Sequence, residues 1–416
     1  MVLHDREKQQ GSEAFCIQNS TQSSLARARA GERGQRMKMQ TVPLCTLRGH
    51  AGNSVSSVCF INEYKLASCE SKSGTLILWD LERFRVLQRI QGDGSGGLYV
   101  GKIQSEHECL LYQQRDKISL YDVNDMQVTK RMNTNAVGFC KATICDSYVF
   151  FPSQPSNAPL EIKIWDAFID PLASSIVTFT VVESSPNTKA TSKLGMMTSL
   201  SVLERGKSLY VMCCGMESGD IFLTTFTLNS VEQQRLRTIT CIHRCSISVG
   251  TEPVLCIDLA VSASSSIDDF GNSVVGIAGI AGDAAEVANK KDQGTIFIFN
   301  LSSPSDFSDA ILCKIRKRLE TCPIGDPTLS GKPGVGCCTF RSDGKLFAVG
   351  GWDKRTRIFS RGGKLLRIMK GHNNSIVDME WQPTRRLCYK DQFMTQPSRL
   401  VTAGGDGRIC FWDVEL

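Results

Sequence analysis

The sequence predicts an all-β fold in which seven small antiparallel sheets close into a ring, a seven-bladed β-propeller, and three observations carry that reading. Short β-patterned runs end in an aromatic or apolar residue at LILWD (76–80), ISLYD (118–122), IKIWD (162–166), IFLTT (221–225), IFIFN (296–300), RIFS (357–360) and ICFWD (409–413). They recur at about 40 to 70 residues, the spacing of propeller blades with inserted loops. Two of these runs follow a Gly-His pair at the proper distance, Gly49-His50 and Gly371-His372.

Along the chain, residues 1–39 hold few large apolar side chains and many Ser, Gln, Arg and Gly. Such a segment cannot bury enough surface to offset its ordering entropy, so it reads as a disordered arm ahead of a propeller spanning 40–416. Its Arg-rich run also invites a targeting reading, against which its acidic residues count. The run from Thr41 to Leu47 has nothing of its own to pair with, while the chain ends three residues after Asp413. It is therefore expected to serve as the outer strand of the last blade, which removes a sheet edge and clasps the ring.

The other blades keep the geometry while losing the signature. Blade 2 has Gly96-Gly97 in its leading turn and Tyr121-Asp122 at its end; blade 5 has Gln293-Gly294 in a turn and Phe299-Asn300 at its end. Blade 4 has Gly219 in its turn but Thr224 at the aromatic position. Blade 7 is the clearest, with strands in KGHNNSIVDMEW, LVTAGG and GDGRICFWD. Asp406-Gly407 signals a tight turn, since Gly accepts positive φ and Asp bonds its own backbone. Insertions fall near 183–194, 283–292, 301–333 and 383–398, where loops on rigid blades are natural contact points.

Composition narrows the function classes. With 41% hydrophobic and 22% charged residues the chain can bury a sizeable core. No apolar run reaches the roughly 18 residues a spanning helix needs. Asp5, Glu7 and Glu13 stand where a secretory signal would be apolar. The 18 cysteines lie largely in apolar runs, where reduced thiols behave as small hydrophobes. Adjacent Cys213–Cys214 and Cys337–Cys338 point to opposite strand faces, which disfavours bridging them. The net charge of +6 permits attraction to acidic surfaces, but no aromatic-and-basic motif accompanies it, so direct nucleic-acid binding is not expected.

Catalytic motifs are sparse, and no enzyme activity, cofactor or metal is expected. Cys241, His243 and Cys245 would share one strand face, a geometry that a metal could use, but a plain reduced strand face is the expected reading. Gly325 to Pro333 fails as a phosphate loop in spacing and in its last residue. Gly92, Gly94, Gly96 and Gly97 precede strands rather than a helix, which argues against a dinucleotide loop. The basic run Lys314, Arg316, Lys317, Arg318 reads as a solvated loop or a contact for an acidic partner.

The blade endings and Gly-His pairs resemble those of WD-repeat proteins. That resemblance implies a hydrogen-bonded network of His372, Thr402, Asp406 and Trp412 in blade 7, with His50 and Trp79 as counterparts in blade 1. A closer likeness is carried by LLYQQRDKISLYDV (110–123), NAVGFC (135–140), GMESGDIFLTTF (215–226) and PGVGCCTFRSDGKLFAVGGWDKRTRIF (333–359). These stretches resemble the ASTRA-associated proteins, a WD-repeat family called G-protein β-subunit-like protein 1 in animals. Blade 3 departs from it, with an extended turn in FPSQPSNAPLEIKIWD.

The resemblance implies a monomeric adaptor in nucleus and cytoplasm. Its expected partner is the TTT co-chaperone complex that matures phosphatidylinositol-3-kinase-related kinases, with links to chromatin regulation through ASTRA. A substrate receptor of a cullin-type ubiquitin ligase is the alternative, because both use a propeller face. Trp352 looks like a blade ending but is not one. Asp353 precedes Phe359 by the interval that separates Asp406 from Trp412, so Trp352 belongs to the turn before the third strand of blade 6. Trp352 with Lys354, Arg355 and Arg357 is thus the candidate contact, an aromatic anchor among basic residues.

Overall fold

The structure is a computed structural model. It describes residues 40–414 apart from 104–107, 135–137, 154–159, 168–175, 182–193, 207, 231–236, 262–273, 282–294, 303–311, 321–333, 384–385, 390–391 and 396–397. The arm expected at 1–39, the failed phosphate loop and much of each expected insertion lie outside the described residues.

The described chain begins with two short strands, β1 (Gln40–Thr41) and β2 (Cys45–Arg48). Blade 1 is β3 (Val55–Phe60), β4 (Lys65–Glu70), β5 (Leu76–Asp80) and β6 (Arg85–Ile90). Blade 2 is β7 (Gly97–Ile103), β8 (Cys109–Gln114), β9 (Lys117–Asp122) and β10 (Val128–Asn133). Blade 3 is β11 (Thr143–Cys145), β12 (Tyr148–Ser153), β13 (Glu161–Asp166) and β14 (Ile176–Thr180). Blade 4 is β15 (Met197–Glu204), β16 (Leu209–Met216), β17 (Asp220–Ser230) and β18 (Arg237–Ser248). Blade 5 is β19 (Val254–Val261), β20 (Val274–Ile280), β21 (Thr295–Ser302) and β22 (Leu312–Glu320). Blade 6 is β23 (Val335–Phe340), β24 (Leu346–Gly351), β25 (Arg355–Ser360) and β26 (Leu365–Lys370). Blade 7 starts with β27 (Ile376–Trp381), inserts a hairpin of β28 (Arg386–Tyr389) and β29 (Gln392–Thr395), and continues with β30 (Arg399–Gly404) and β31 (Arg408–Asp413).

Every blade is an antiparallel meander from an inner to an outer strand. Third strands are covered on both faces, so LILWD of β5 is buried at every position. The outer β6 alternates exposed and half-buried residues, the pattern of a strand with one wet face. Seven apolar clusters fill the seven gaps between neighbouring blades. Each gap thus has its own core, and the inner strands β3, β7, β11, β15, β19, β23 and β27 pack side by side until β27 meets β3 again.

The expected closing strand divides in two. β2 pairs antiparallel with β31, Cys45 opposite Phe411 and Leu47 opposite Ile409, and completes blade 7. β1 instead pairs parallel with β26, adding a fifth strand to blade 6. Pro43 stands between them, and a proline, lacking an N–H, interrupts a ladder. The segment therefore clasps two blades. Cys45 and Leu47 enter the core between blades 7 and 1.

Candidate protein-binding face

The Gly-His turns are built around the blade tryptophans. A Cβ on Gly371 would lie 2.8 Å from Trp412 Cη2, and one on Gly49 would lie 2.6 Å from Trp79 Cη2, so the indole needs a glycine beneath it. In blade 7 the Trp412 indole N–H donates to Thr402 Oγ1 at 2.9 Å. His372 Nε2 lies 2.8 Å from the same hydroxyl, and its Nδ1 lies 3.1 Å from Asp406 Oδ1. Burial alone would lower the His372 pKa, but the Asp406 carboxylate overrides it and raises it to about 9.

Blade 1 repeats half of this. Trp79 Nε1 donates to Ser68 Oγ at 2.8 Å, and His50 Nε2 lies 2.8 Å from that hydroxyl. Ser73 takes the place of the turn aspartate, and Glu70 Oε2 lies 3.8 Å from His50 Nδ1, beyond hydrogen-bond distance. With no carboxylate in contact, burial dominates, helped by Arg89, and lowers the His50 pKa to about 3.

Blade 6 has another solution. Asp353 sits in the turn between β24 and β25, and Arg357 from β25 reaches it with Nη1 to Oδ1 at 3.0 Å and Nη2 to Oδ2 at 2.5 Å. Arg357 is only 2% exposed, so it cannot be a surface contact as the sequence reading had it. Its guanidinium holds the turn aspartate as His372 does in blade 7. Lys354 is exposed and adopts φ +68°, matching the φ +73° of Gly407 at the same place in blade 7. Arg355 opens β25 and is half-buried.

Trp352 lies in the turn where the spacing places it, and it is half-buried rather than projecting. Its ring covers Gly334, where a Cβ would meet Trp352 Cε3 at 2.5 Å, and also passes beside Gly336. It faces the mouth of the central channel. There a cavity of about 460 Å³ receives residues from all seven blades, among them Leu98, Phe139, Met196, Leu255, Trp352 and Val377. Phe139 is 67% exposed and Met196 36%, so this mouth is an apolar patch open to solvent. Arg115 stacks on Phe139 with its guanidinium carbon 5.4 Å from the ring centre.

The channel walls hold carboxylates that sequence reading missed. Asp378 accepts from Val58 N–H at 2.9 Å and pairs with Lys141 Nζ at 2.8 Å, a link from blade 7 to blade 3 across the channel. Glu380 accepts from Phe60 N–H at 2.5 Å, and Asp258 accepts from Phe340 N–H at 2.7 Å. Burial raises the pKa of Asp258 to about 6 and of Glu380 to about 8. Alternation in IVDMEW puts Asp378 and Glu380 on one face, which was the available signal. These groups stitch neighbouring inner strands together.

The single strand face expected of Cys241, His243 and Cys245 is broken for a geometric reason. A bulge at Ile242 leaves Cys241 opposite Phe226, while His243 stands opposite Thr225 and Cys245 opposite Leu223. Phe226 packs toward blade 3 and Leu223 toward blade 5, so Cys241 is on the other face from His243 and Cys245. Among the described residues no group of His, Cys, Asp and Glu is placed to hold a metal. The described cysteines are free thiols. The basic run at Lys314 to Arg318 is the outer strand β22, not a loop.

The family model "WD domain, G-beta repeat" matches residues 41–80, 327–360 and 363–413. Guanine nucleotide-binding protein subunit beta-like protein 1 of Mus musculus is 24% identical over 348 residues, 82% of this chain and 86% of that protein. The β-propeller domain of Myceliophteria thermophila Cps50 (Swd1) superposes with a TM-score of 0.58 at 17% identity, covering 89% of this chain and all of that one. Chaetomium thermophilum Raptor gives 0.57 at 14% identity over 88% of this chain, which spans 28% of the Raptor chain. These two show the fold alone. The chain is a seven-bladed β-propeller in which the WD-repeat model matches those three stretches, and it is similar to guanine nucleotide-binding protein subunit beta-like protein 1.

Proposed function

We propose that this propeller is a non-enzymatic scaffold that takes a protein partner on the face around the channel mouth. The observation that carries the reading is the solvent-open patch of Phe139, Met196 and Trp352, contributed by three different blades. Exposed apolar clusters on rigid frames are characteristic of protein-binding surfaces. Lys354 beside Trp352 adds a positive charge to the rim, which favours an acidic or amphipathic partner. The carboxylates within the channel are engaged by backbone amides and Lys141, which suits a wall rather than a reaction centre.

The finer reading rests on the family resemblance of 110–123, 215–226 and 333–359. It makes the partner a subunit of the TTT co-chaperone complex and the role an adaptor in maturation of phosphatidylinositol-3-kinase-related kinases, with ASTRA-linked chromatin functions in nucleus and cytoplasm. Copurification with the tagged full chain, read by mass spectrometry, tests it. Recovery of TTT subunits is the expected result. Recovery of a cullin adaptor without them overturns the assignment in favour of a ubiquitin-ligase receptor.

A further inference from the structure

The positive charge of this molecule is concentrated on one sector of the ring. Residues 335–370 of blade 6 carry nine Lys and Arg against two Asp, and β22 of blade 5 carries four against one Glu, whereas the whole chain is only +6. Asp343 and Asp353 are already engaged by Arg341 and Arg357. The remaining chain is therefore net negative, and the sector formed by the outer edge of blade 5 and blade 6 is its basic counterpart.

On β22, Lys314, Arg316, Lys317 and Arg318 are all exposed. Cys313 and Ile315 pack toward blade 4, while Leu319 packs toward blade 6. Alternation across the bulge at Arg316 then puts Lys314 and Lys317 on the side of blade 6. Lys317 Nζ donates to the carbonyls of Gly362 at 3.4 Å and Gly363 at 3.3 Å, which brings the strand against the turn that bears Arg361 and Lys364. Among the described residues β22 pairs only with β21, so its outer backbone edge is open. The neighbouring blade shows what such an edge accepts, because β1 has added to β26 as a fifth strand.

We propose that the outer edge of blade 5 docks an acidic, extended segment of a partner protein. The segment adds to β22 as a fifth strand and sets its carboxylates against Lys314, Arg316 and Lys364. Strand addition supplies main-chain hydrogen bonds, and charge supplies the choice of partner. A lysine-rich edge repels a second copy of itself, so the same row that prevents self-pairing selects an oppositely charged strand. Nucleic acid fits less well. β22 has no aromatic residue to stack a base, and Phe297 beneath Arg318 is buried.

The test is fluorescence anisotropy on the purified full chain with three labelled probes: an alternating Glu-Val peptide, the same peptide interrupted by proline, and a short DNA duplex. The alternating peptide is expected to bind, and to weaken as salt rises through the range where the screening length falls below about 10 Å. Lys314→Glu with Arg316→Glu should cut its affinity at least about tenfold at unchanged melting temperature, and the neutral Gln pair less, as expected when close charge pairs are lost. The proline peptide should bind at least about fivefold more weakly, because it cannot complete a ladder. Equal binding of both peptides, equal binding by the charge variants, no binding at all, or tighter binding of the duplex each overturns the proposal.

Discussion

Arg357 and Asp353 form a bidentate ion pair inside blade 6, at the place where blade 7 sets His372 against Asp406. Both pairs fix the turn between the second and third strands, and that turn carries Trp352 in blade 6. The turn that carries Trp352 is therefore fixed from within its own blade, while Asp378 and Lys141 tie blades together across the channel. Removing one member of a buried pair leaves an uncompensated charge, which costs about 3–5 kcal/mol. Arg357→Ala is expected to lower the melting temperature substantially. Arg357→Lys should recover part of it, since an ammonium lacks the two-pronged fit. Differential scanning calorimetry of the two variants checks the order.

His372 and His50 should respond to pH with opposite signs. The folded pKa of His372 is raised to about 9, so its stabilisation is complete below the unfolded value near 6.5 and is lost as pH rises through 9. The folded pKa of His50 is lowered to about 3, so its contribution is complete above 6.5 and falls away as pH drops toward 3. Urea titrations of His372→Gln and His50→Gln across this range should show the former losing the alkaline slope and the latter the acidic one. Identical profiles for the two variants would contradict the assignment.

Glu380 gives a third pH signature. Its folded pKa is raised to about 8, above the unfolded value near 4.5, so the folded state holds a proton that the unfolded state releases. Its part in stability declines as pH rises from about 4.5 to 8. Glu380→Gln keeps a carbonyl oxygen for Phe60 N–H and cannot titrate, so it should remove that decline. A variant that keeps the wild-type slope assigns the titration to another group.

Two truncations test the clasp. Removing residues 1–39 leaves β1 and β2 in place and should leave the melting temperature nearly unchanged. Removing 1–48 takes Cys45 and Leu47 out of the core between blades 7 and 1, and loss of one such side chain alone costs about 2–5 kcal/mol. The longer deletion should melt markedly earlier. Equal midpoints would mean that the ring closes without β2.

The blade pattern was legible because its signals are local. Trp412, Asp406 and His372 are tied to turns whose chemistry a short window displays, and the interval from Asp353 to Phe359 placed Trp352 correctly. Contacts created by ring closure were not legible. Lys141 and Asp378 are 2.8 Å apart only because blades 3 and 7 face each other across the channel. Arg357 was misread because nothing local distinguishes an arginine turned inward to an aspartate from one turned to solvent. The shared face expected of Cys241, His243 and Cys245 was lost to a bulge, which shifts one residue without a turn signal.

Phe139 is the cleanest probe of the channel mouth as the partner surface. Trp352 covers the backbone at Gly334, so Trp352→Ala will disturb packing as well as contact. Phe139 is 67% exposed and can be cut back with little loss of core. The decisive measurement is the affinity of the full chain for its copurified partner, wild type against Phe139→Ala, with melting temperatures recorded beside it. A loss of about 1–3 kcal/mol in binding at an unchanged melting temperature is expected, as for an aromatic interface anchor. Undiminished affinity in Phe139→Ala, with Trp352→Ala also binding normally, would move the partner surface off the channel mouth.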